Sequence, residues 1–267
     1  MEISLFSQSL YALDLFDAID ATAKIGIGAI EIACCRPHFD ITMAMENPAA
    51  VAERVKKAGL KVSALSLSND FTTPGTLVQQ LKDAEVFMRL APLFDTKLLK
   101  LTPGPPSSLE ATEQNWNCLA EAVKTLTPLA KTLGLKLAFE THMRQLTDTL
   151  ASTQRLLDMT DDTVGLTVDF SNLSFAGEKM PEVFKRLAGR IYHTHIKNGY
   201  IDSQGGWHFG PLNEGMTNNA EVIALLKKMN YTGFLSLECL GADAKEKPIE
   251  TVQRDLRILG EYIESED

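Results

Sequence analysis

Eight times along this chain a short apolar, β-branched run gives way to a longer amphipathic stretch, and that alternation restricts the fold more than any other feature. The short runs fall at about 2–6, 28–33, 61–67, 97–101, 135–140, 164–169, 190–196 and 233–238. Helical patterns occupy 12–24, 46–58, 76–94, 110–133, 147–159, 179–188, 218–229 and 248–264. Several strands follow a helix that ends with Gly, as in KIGIGAIEI, KKAGLKVSALSL and KTLGLKLAFE. A glycine there suits a left-handed cap from which the chain enters the next strand. Asn47 before Pro48, and Thr217 or Asn218, are the expected helix-start caps.

Eight strand-plus-helix units in 267 residues average about 33 residues each, a normal size for a single (β/α)8 TIM barrel. The expected organisation is one such domain over 1–267. An open doubly wound sheet would more naturally carry a Gly-rich phosphate fingerprint after its first strand, and SLFSQSLY is not one. The Pro/Gly-rich LTPGPPSS at 101–108 reads as a loop between strand and helix. With 26 Lys and Arg against 35 Asp and Glu, the net charge is −9. Nucleic-acid affinity comes largely from Lys and Arg, so neither a nucleic-acid partner nor an anionic membrane surface is expected. No apolar run approaches a membrane span, and MEISLFSQSL lacks the basic start of a signal peptide. The four cysteines, Cys34, Cys35, Cys118 and Cys239, show no disulfide or CxxC spacing. Reduced thiols in a cytoplasmic protein are the expectation. The composition is compatible with a homo-oligomer.

Barrel enzymes carry their reactive groups where strands end at the C-terminal face. The fifth strand, KLAFE, ends at Glu140 and the sixth, GLTVD, at Asp169. The seventh, IYHTHIK, carries His195, and the eighth, FLSLE, ends at Glu238. Strand alternation tests whether the four share a rim. With these residues inward, Ala138, Thr167, His193 and Ser236 also face inward, while Phe139, Val168, Ile196 and Leu237 face the helices. One register satisfies all four strands. Three carboxylates and an imidazole, with no thiolate, suit one divalent cation such as Mn²⁺, Mg²⁺, Co²⁺ or Zn²⁺. A cation also relieves the repulsion that would otherwise protonate some of the acids.

The ordered segments AFETH, GLTVDFSN, HTHIK and LSLE resemble the xylose-isomerase-like family of TIM barrels, the sugar phosphate isomerases and epimerases. The resemblance extends from the opening strand through GAIEI to the final helix. It implies a divalent metal held by Glu140, Asp169, His195 and Glu238, with Glu140 and Glu238 also moving substrate protons. Three positions depart from common family patterns: Asn172 stands where 3-epimerase members often have His, Asn198 closes the seventh-strand motif in place of Asp, and Asn213-Glu214-Gly215 replaces Gly-Glu-Gly.

The expected activity is isomerisation or epimerisation of a sugar, keto-polyol or related hydroxy-carbonyl compound through an enediolate. A keto-polyol dehydratase similar to the inosose dehydratases is the nearest alternative. Less favoured are a nuclease of the endonuclease IV type and a non-catalytic metal- or sugar-binding barrel. The expected substrate-binding residues are Glu31, His142, Asn172, Lys197 and His208. Glu31, ending the second strand, either binds a hydroxyl or orients another ligand. His142 lies two residues past Glu140, and His208 stands between Trp207 and Phe209 in a loop able to close over a sugar. His193 is expected one layer beneath His195. All five histidines, His38 among them, are expected on the catalytic face, and Arg144 is a candidate for an anionic substrate group.

Overall fold

The structure, a computed structural model, describes residues 1–265. Eight parallel strands close into a barrel: β1 (Glu2–Phe6), β2 (Ala29–Ala33), β3 (Lys61–Ser66), β4 (Leu98–Leu101), β5 (Lys136–Glu140), β6 (Val164–Asp169), β7 (Ile191–Ile196) and β10 (Phe234–Leu237). Between the last two, β8 (Asn198–Ile201) and β9 (Trp207–Gly210) form an antiparallel hairpin outside the barrel. The outer ring is built chiefly from α1 (Leu15–Ile25), α3 (Pro48–Lys57), α4 (Pro74–Leu90), α5 (Glu113–Leu133), α6 (Leu150–Asp158), α8 (Met180–Leu187), α9 (Asn219–Lys228) and α11 (Pro248–Glu264). Shorter helices, α2 (Ile41–Glu46), α7 (Phe170–Phe175) and α10 (Ala242–Glu246), lie in the connections. This is the (β/α)8 TIM barrel expected from the eightfold alternation. No helix among the described residues is long and apolar enough to cross a membrane.

Local chemistry accounts for the ends of these elements. Gly26, Gly59 and Gly134 adopt φ values of 97°, 73° and 66°, a region that only glycine enters without side-chain strain. Asn218 accepts a hydrogen bond from the Glu221 amide and so caps α9. Asn47 precedes α3 without such a bond, contrary to the expected cap. Several elements were not legible as patterns: α7 begins immediately after β6, α2 precedes the expected helix start near 46, α10 precedes the one at 248, and the hairpin occupies a stretch read as loop.

The strand register carries the inward–outward alternation into three dimensions. Glu140 pairs with Thr167, Asp169 with His195, and His195 with Ser236. Phe139, Val168, Ile196 and Leu237 are buried under the helices, as alternation requires. The barrel interior is unusually polar. Ser4 and Ser63 hydrogen-bond at 2.7 Å, and His193, Thr167 and Ser236 have no exposed surface. A register shift opposite Ile30 and Glu31, where Ser63 is the extra residue, marks a bulge in β3, beside the strand that delivers Glu31 to this interior.

Replacing Asn218 with Ala removes the α9 cap and is expected to cost about 1 kcal/mol of stability. Asn47→Ala, which loses no cap bond, is expected to leave stability within about 0.5 kcal/mol of the parent. Thermal unfolding of both variants checks the contrast.

A candidate metal centre at the barrel mouth

Glu140, Asp169, His195 and Glu238 converge at the C-terminal end of the barrel. Each offers one ligand atom within 4.8 Å of the others. All four are buried, with Glu238 the most exposed at 5%. Glu140 ends β5 and Asp169 ends β6, while His195 precedes the last residue of β7. Glu238 follows β10 and is fixed by its amide, which donates to the Ile196 carbonyl at 3.0 Å. Asp169 divides its carboxylate between two tasks. Its Oδ1 accepts from the Asn172 amide and caps α7, and its Oδ2 faces the cluster.

The His195 ring is oriented from below. Its Nε2 lies 3.0 Å from Glu31 Oε1, and its Nδ1 lies 3.1 Å from Glu140 Oε1 and 3.7 Å from Glu238 Oε2. With Nε2 committed to Glu31, Nδ1 is the nitrogen presented to the carboxylates. Glu31 also bonds His193 Nε2 at 2.8 Å and accepts from the Ser236 hydroxyl at 2.5 Å. Phe6 stacks on the His195 ring at 5.0 Å between centroids. Burial pushes the Glu31 carboxyl up, but His195 and His193 outweigh it and hold the group well below the usual carboxylate range. Burial pulls His195 down, while Glu31 and Glu140 raise it well above its ordinary value.

Two buried lysines partner the acids. Lys100 Nζ, rising from β4, is 2.6 Å from Glu140 Oε2. Lys197 Nζ is 2.6 Å from Asp169 Oδ2 and 2.8 Å from Glu238 Oε2. Glu140 stays well below the carboxylate range despite its burial, because Lys100 and His195 face it. Asp169 is raised, chiefly by burial and further by Glu238 and Glu140, with Lys197 opposing. The acids therefore do not confront one another bare, as the sequence-based argument from repulsion assumed. The donor set nevertheless fits a divalent cation. Asp169 Oδ2 is fully buried without an aligned hydrogen bond, His195 turns Nδ1 toward the acids, and all four groups come from rigid strand ends.

Other expected site residues divide into near and distant groups. His142 and Glu238 line a cavity of about 250 Å³ beside the cluster, with Lys100, Asn69, Gln8 and Gln145 on its walls. His142 Nδ1 lies 2.7 Å from the Met143 carbonyl, which leaves Nε2 as the unengaged ring nitrogen. Lys197 is within the acid cluster. Glu31 does not reach a substrate hydroxyl, having no exposed surface and both oxygens occupied; of its two expected roles it takes the other and orients His195. Asn172 is also sealed in, donating to the Thr141 carbonyl at 3.0 Å behind Asp169. His208 turns away from the cluster, binding Asp202 at 2.7 Å and stacking on Tyr200 within the hairpin. Arg144 lies 3.9 Å over the Trp207 ring. His38 is buried in the connection after β2, bonded to Ser7 and the Leu13 carbonyl. Lys100 was missed, although its signal was present: LLKL places one cation inside an otherwise apolar strand. A larger cavity of about 770 Å³ opens at the other end of the barrel, around Tyr192 and Tyr231, and shares no residue with the cluster.

Mn²⁺ at about 100 times its dissociation constant is expected to add about 2.7 kcal/mol to the stability of the metal-stripped protein. The stripped protein should itself remain folded, because Lys100 and Lys197 already partner the acids. Asp169→Ala should lose both the bound metal and the stabilisation. Metal content and melting curves with EDTA and with added Mn²⁺ check this; an unaltered Mn²⁺ response in the variant would remove Asp169 from the centre.

A family model for xylose isomerase-like TIM barrels matches residues 19–262. Among curated proteins, the inosose dehydratase of Clostridium perfringens is 28% identical over 153 residues, covering 52% of this chain and 52% of that one. The chain thus spans about half the length of the curated relatives it matches. Among solved structures, the probable 3-DHS dehydratase AsbF of Bacillus anthracis superposes with a TM-score of 0.82 at 20% identity, covering 97% of this chain and 99% of that one. D-allulose 3-epimerase from Methylomonas sp. gives 0.77 at 17% identity, covering 98% of each chain. With its barrel closed and the family model covering all but its two ends, the chain belongs to the xylose isomerase-like TIM barrel family.

Proposed function

We propose that this protein is a divalent-metal-dependent dehydratase of a keto-polyol. Glu140, Asp169, His195 and Glu238 hold the metal in this reading. When bound, the cation polarises a substrate carbonyl and acidifies the neighbouring C–H. The observation that carries the choice of reaction is the unequal state of the two glutamates. Both Glu140 oxygens are engaged, one facing His195 and the other Lys100. Glu238 gives Oε2 to Lys197, and its Oε1 has no hydrogen-bond partner among the described residues. One free carboxylate oxygen at the cavity wall makes one base. Epimerisation by the expected two-base route needs a second base on the opposite face, and Glu140 would first have to release Lys100.

In the proposed reaction Glu238 takes the proton from the carbon beside the carbonyl, and the C–H electron pair enters the carbonyl system to give an enediolate. The C–O bond at the next carbon then breaks. Its hydroxyl leaves as water after receiving back the proton that Glu238 had taken, and the remaining enol rearranges to a diketone. Lys197 holds Glu238 in place. His142 faces the same cavity, where Nε2 is free to accept a substrate hydroxyl. The sequence relationship to an inosose dehydratase supports a cyclic keto-polyol as the first substrate to try. The fold shared with D-allulose 3-epimerase keeps the isomerase or epimerase reading as second choice.

Incubation of the Mn²⁺-loaded protein with 2-keto-myo-inositol is expected to give a product lighter by one water. Glu238→Gln should retain metal and lose turnover by at least roughly 10²-fold, together with deuterium exchange at the acidic carbon. Mass spectrometry and proton NMR in D₂O read both outcomes. A product of unchanged mass with an inverted or shifted carbon centre would favour the epimerase or isomerase reading. Near-normal turnover in folded, metal-loaded Glu238→Gln would remove that residue as the base.

A further inference from the structure

The side cavity beside the cluster has an unusual wall. Lys100 is 3% exposed, and its ammonium is set inside the barrel mouth by β4, where the backbone pairs with Ser66 and Ala138. An ammonium has three N–H donors. Glu140 is its one carboxylate partner within ion-pair distance among the described residues. The aromatic face of Phe6 lies 5.8 Å from Nζ and offers no lone pair. At least one donor is therefore left for the cavity. The same cavity carries groups suited to hydroxyls. Asn69 Oδ1 is buried with no hydrogen-bond partner among the described residues, and Gln145 accepts from the Gly104 amide through its carbonyl oxygen, leaving its NH₂ group available. No arginine lines this cavity, and its one lysine already faces a carboxylate.

We propose that Lys100 is a substrate-contacting residue: its ammonium donates a hydrogen bond to the oxygen that gains negative charge as the enediolate forms, while Asn69 and Gln145 receive neutral hydroxyls of the same molecule. The proposal rests on reading the centre as one that enolises its substrate. It gives the Glu140–Lys100 pair a divided task. Glu140 fixes the ammonium on one side, and the remaining N–H meets the substrate on the other. A buried cation fixed in advance of the reaction stabilises developing charge without reorganising when the charge appears. The wall chemistry also selects against a phosphorylated substrate, because a dianion placed here would meet Glu238 and Asp70 with no unpaired cationic side chain on the cavity wall.

The test uses glycolohydroxamate, a small chelating mimic of an enediolate, titrated calorimetrically into the whole protein at saturating Mn²⁺. Lys100→Met is expected to weaken binding roughly tenfold or more, the worth of one charged hydrogen bond. Lys100→Arg should recover affinity to within about threefold of the parent. Mn²⁺ affinity, measured separately, should change far less than affinity for the mimic. If Lys100→Met does not fold, Lys100→Gln carries the same comparison. Parent-like binding in the uncharged variant overturns the proposal. So does a loss that merely follows loss of Mn²⁺, since Lys100 would then serve only to hold Glu140, and so does a parent protein that does not bind the mimic. A parallel panel of 2-keto-myo-inositol, D-fructose and D-allulose separates this result from the reading of function. Lys100-dependent mimic binding with no turnover of any panel member would discard the keto-polyol assignment and leave the role of Lys100 standing.

Discussion

Three carboxylates sit in the mouth of this barrel, none more than 5% exposed, and the rest of the site is arranged around the cost of keeping them there. An isolated buried carboxylate protonates or finds a partner. Here the partners are built in. Lys100 meets Glu140, Lys197 bridges Asp169 and Glu238, and His195 lies between Glu31 and Glu140. Each partner comes from a strand or from the residue just after one, so the compensation is as rigid as the barrel. Groups whose positions are set before a ligand arrives need little reorganisation to bind it.

The same arrangement separates residues that resemble each other in sequence. Glu140 ends β5, Glu238 directly follows β10, and both face the cluster, but their neighbours differ. Both line the cavity, but the strand beside β5 carries a lysine that occupies Glu140, whereas Glu238 Oε1 has no hydrogen-bond partner among the described residues. His193 and His195 are two residues apart on β7. The lower ring shares Glu31 and is closed off from the cavity, while the upper turns Nδ1 to the acids. Depth within the barrel, which alternation along one strand cannot supply, separates their environments.

Much of the fold was readable because its physics is local. Eight apolar runs of strand length, separated by helical periodicity and closed by Gly26, Gly59 and Gly134, leave little besides a barrel. The quartet was readable because strand period and rim position are both sequence properties. The remainder depended on meetings between strands far apart in the chain. Glu31 and His195 are separated by 164 positions, and nothing near either one signals the contact. Lys100 was visible as an isolated cation in LLKL, but its ion pair with Glu140 appears only when β4 lies beside β5. His208 looked suited to a sugar because Trp207 and Phe209 flank it; the hairpin instead gave it Asp202 as a partner, through a turn that brings residues six apart together.

Asp169 spends one oxygen on the first turn of α7 and turns the other toward the cluster. Selection can therefore retain this residue for two unrelated reasons. A descendant that had abandoned its metal chemistry would still profit from an aspartate here, simply to begin the helix after β6. Its persistence would then be weak testimony that the ancestral chemistry survived. Glu238 Oε1 has no comparable structural employment, so that side chain should be among the first to drift once the chemistry is gone. In judging distant members of such a lineage, the last strand's glutamate is the more telling character, and the sixth strand's aspartate the more deceptive one.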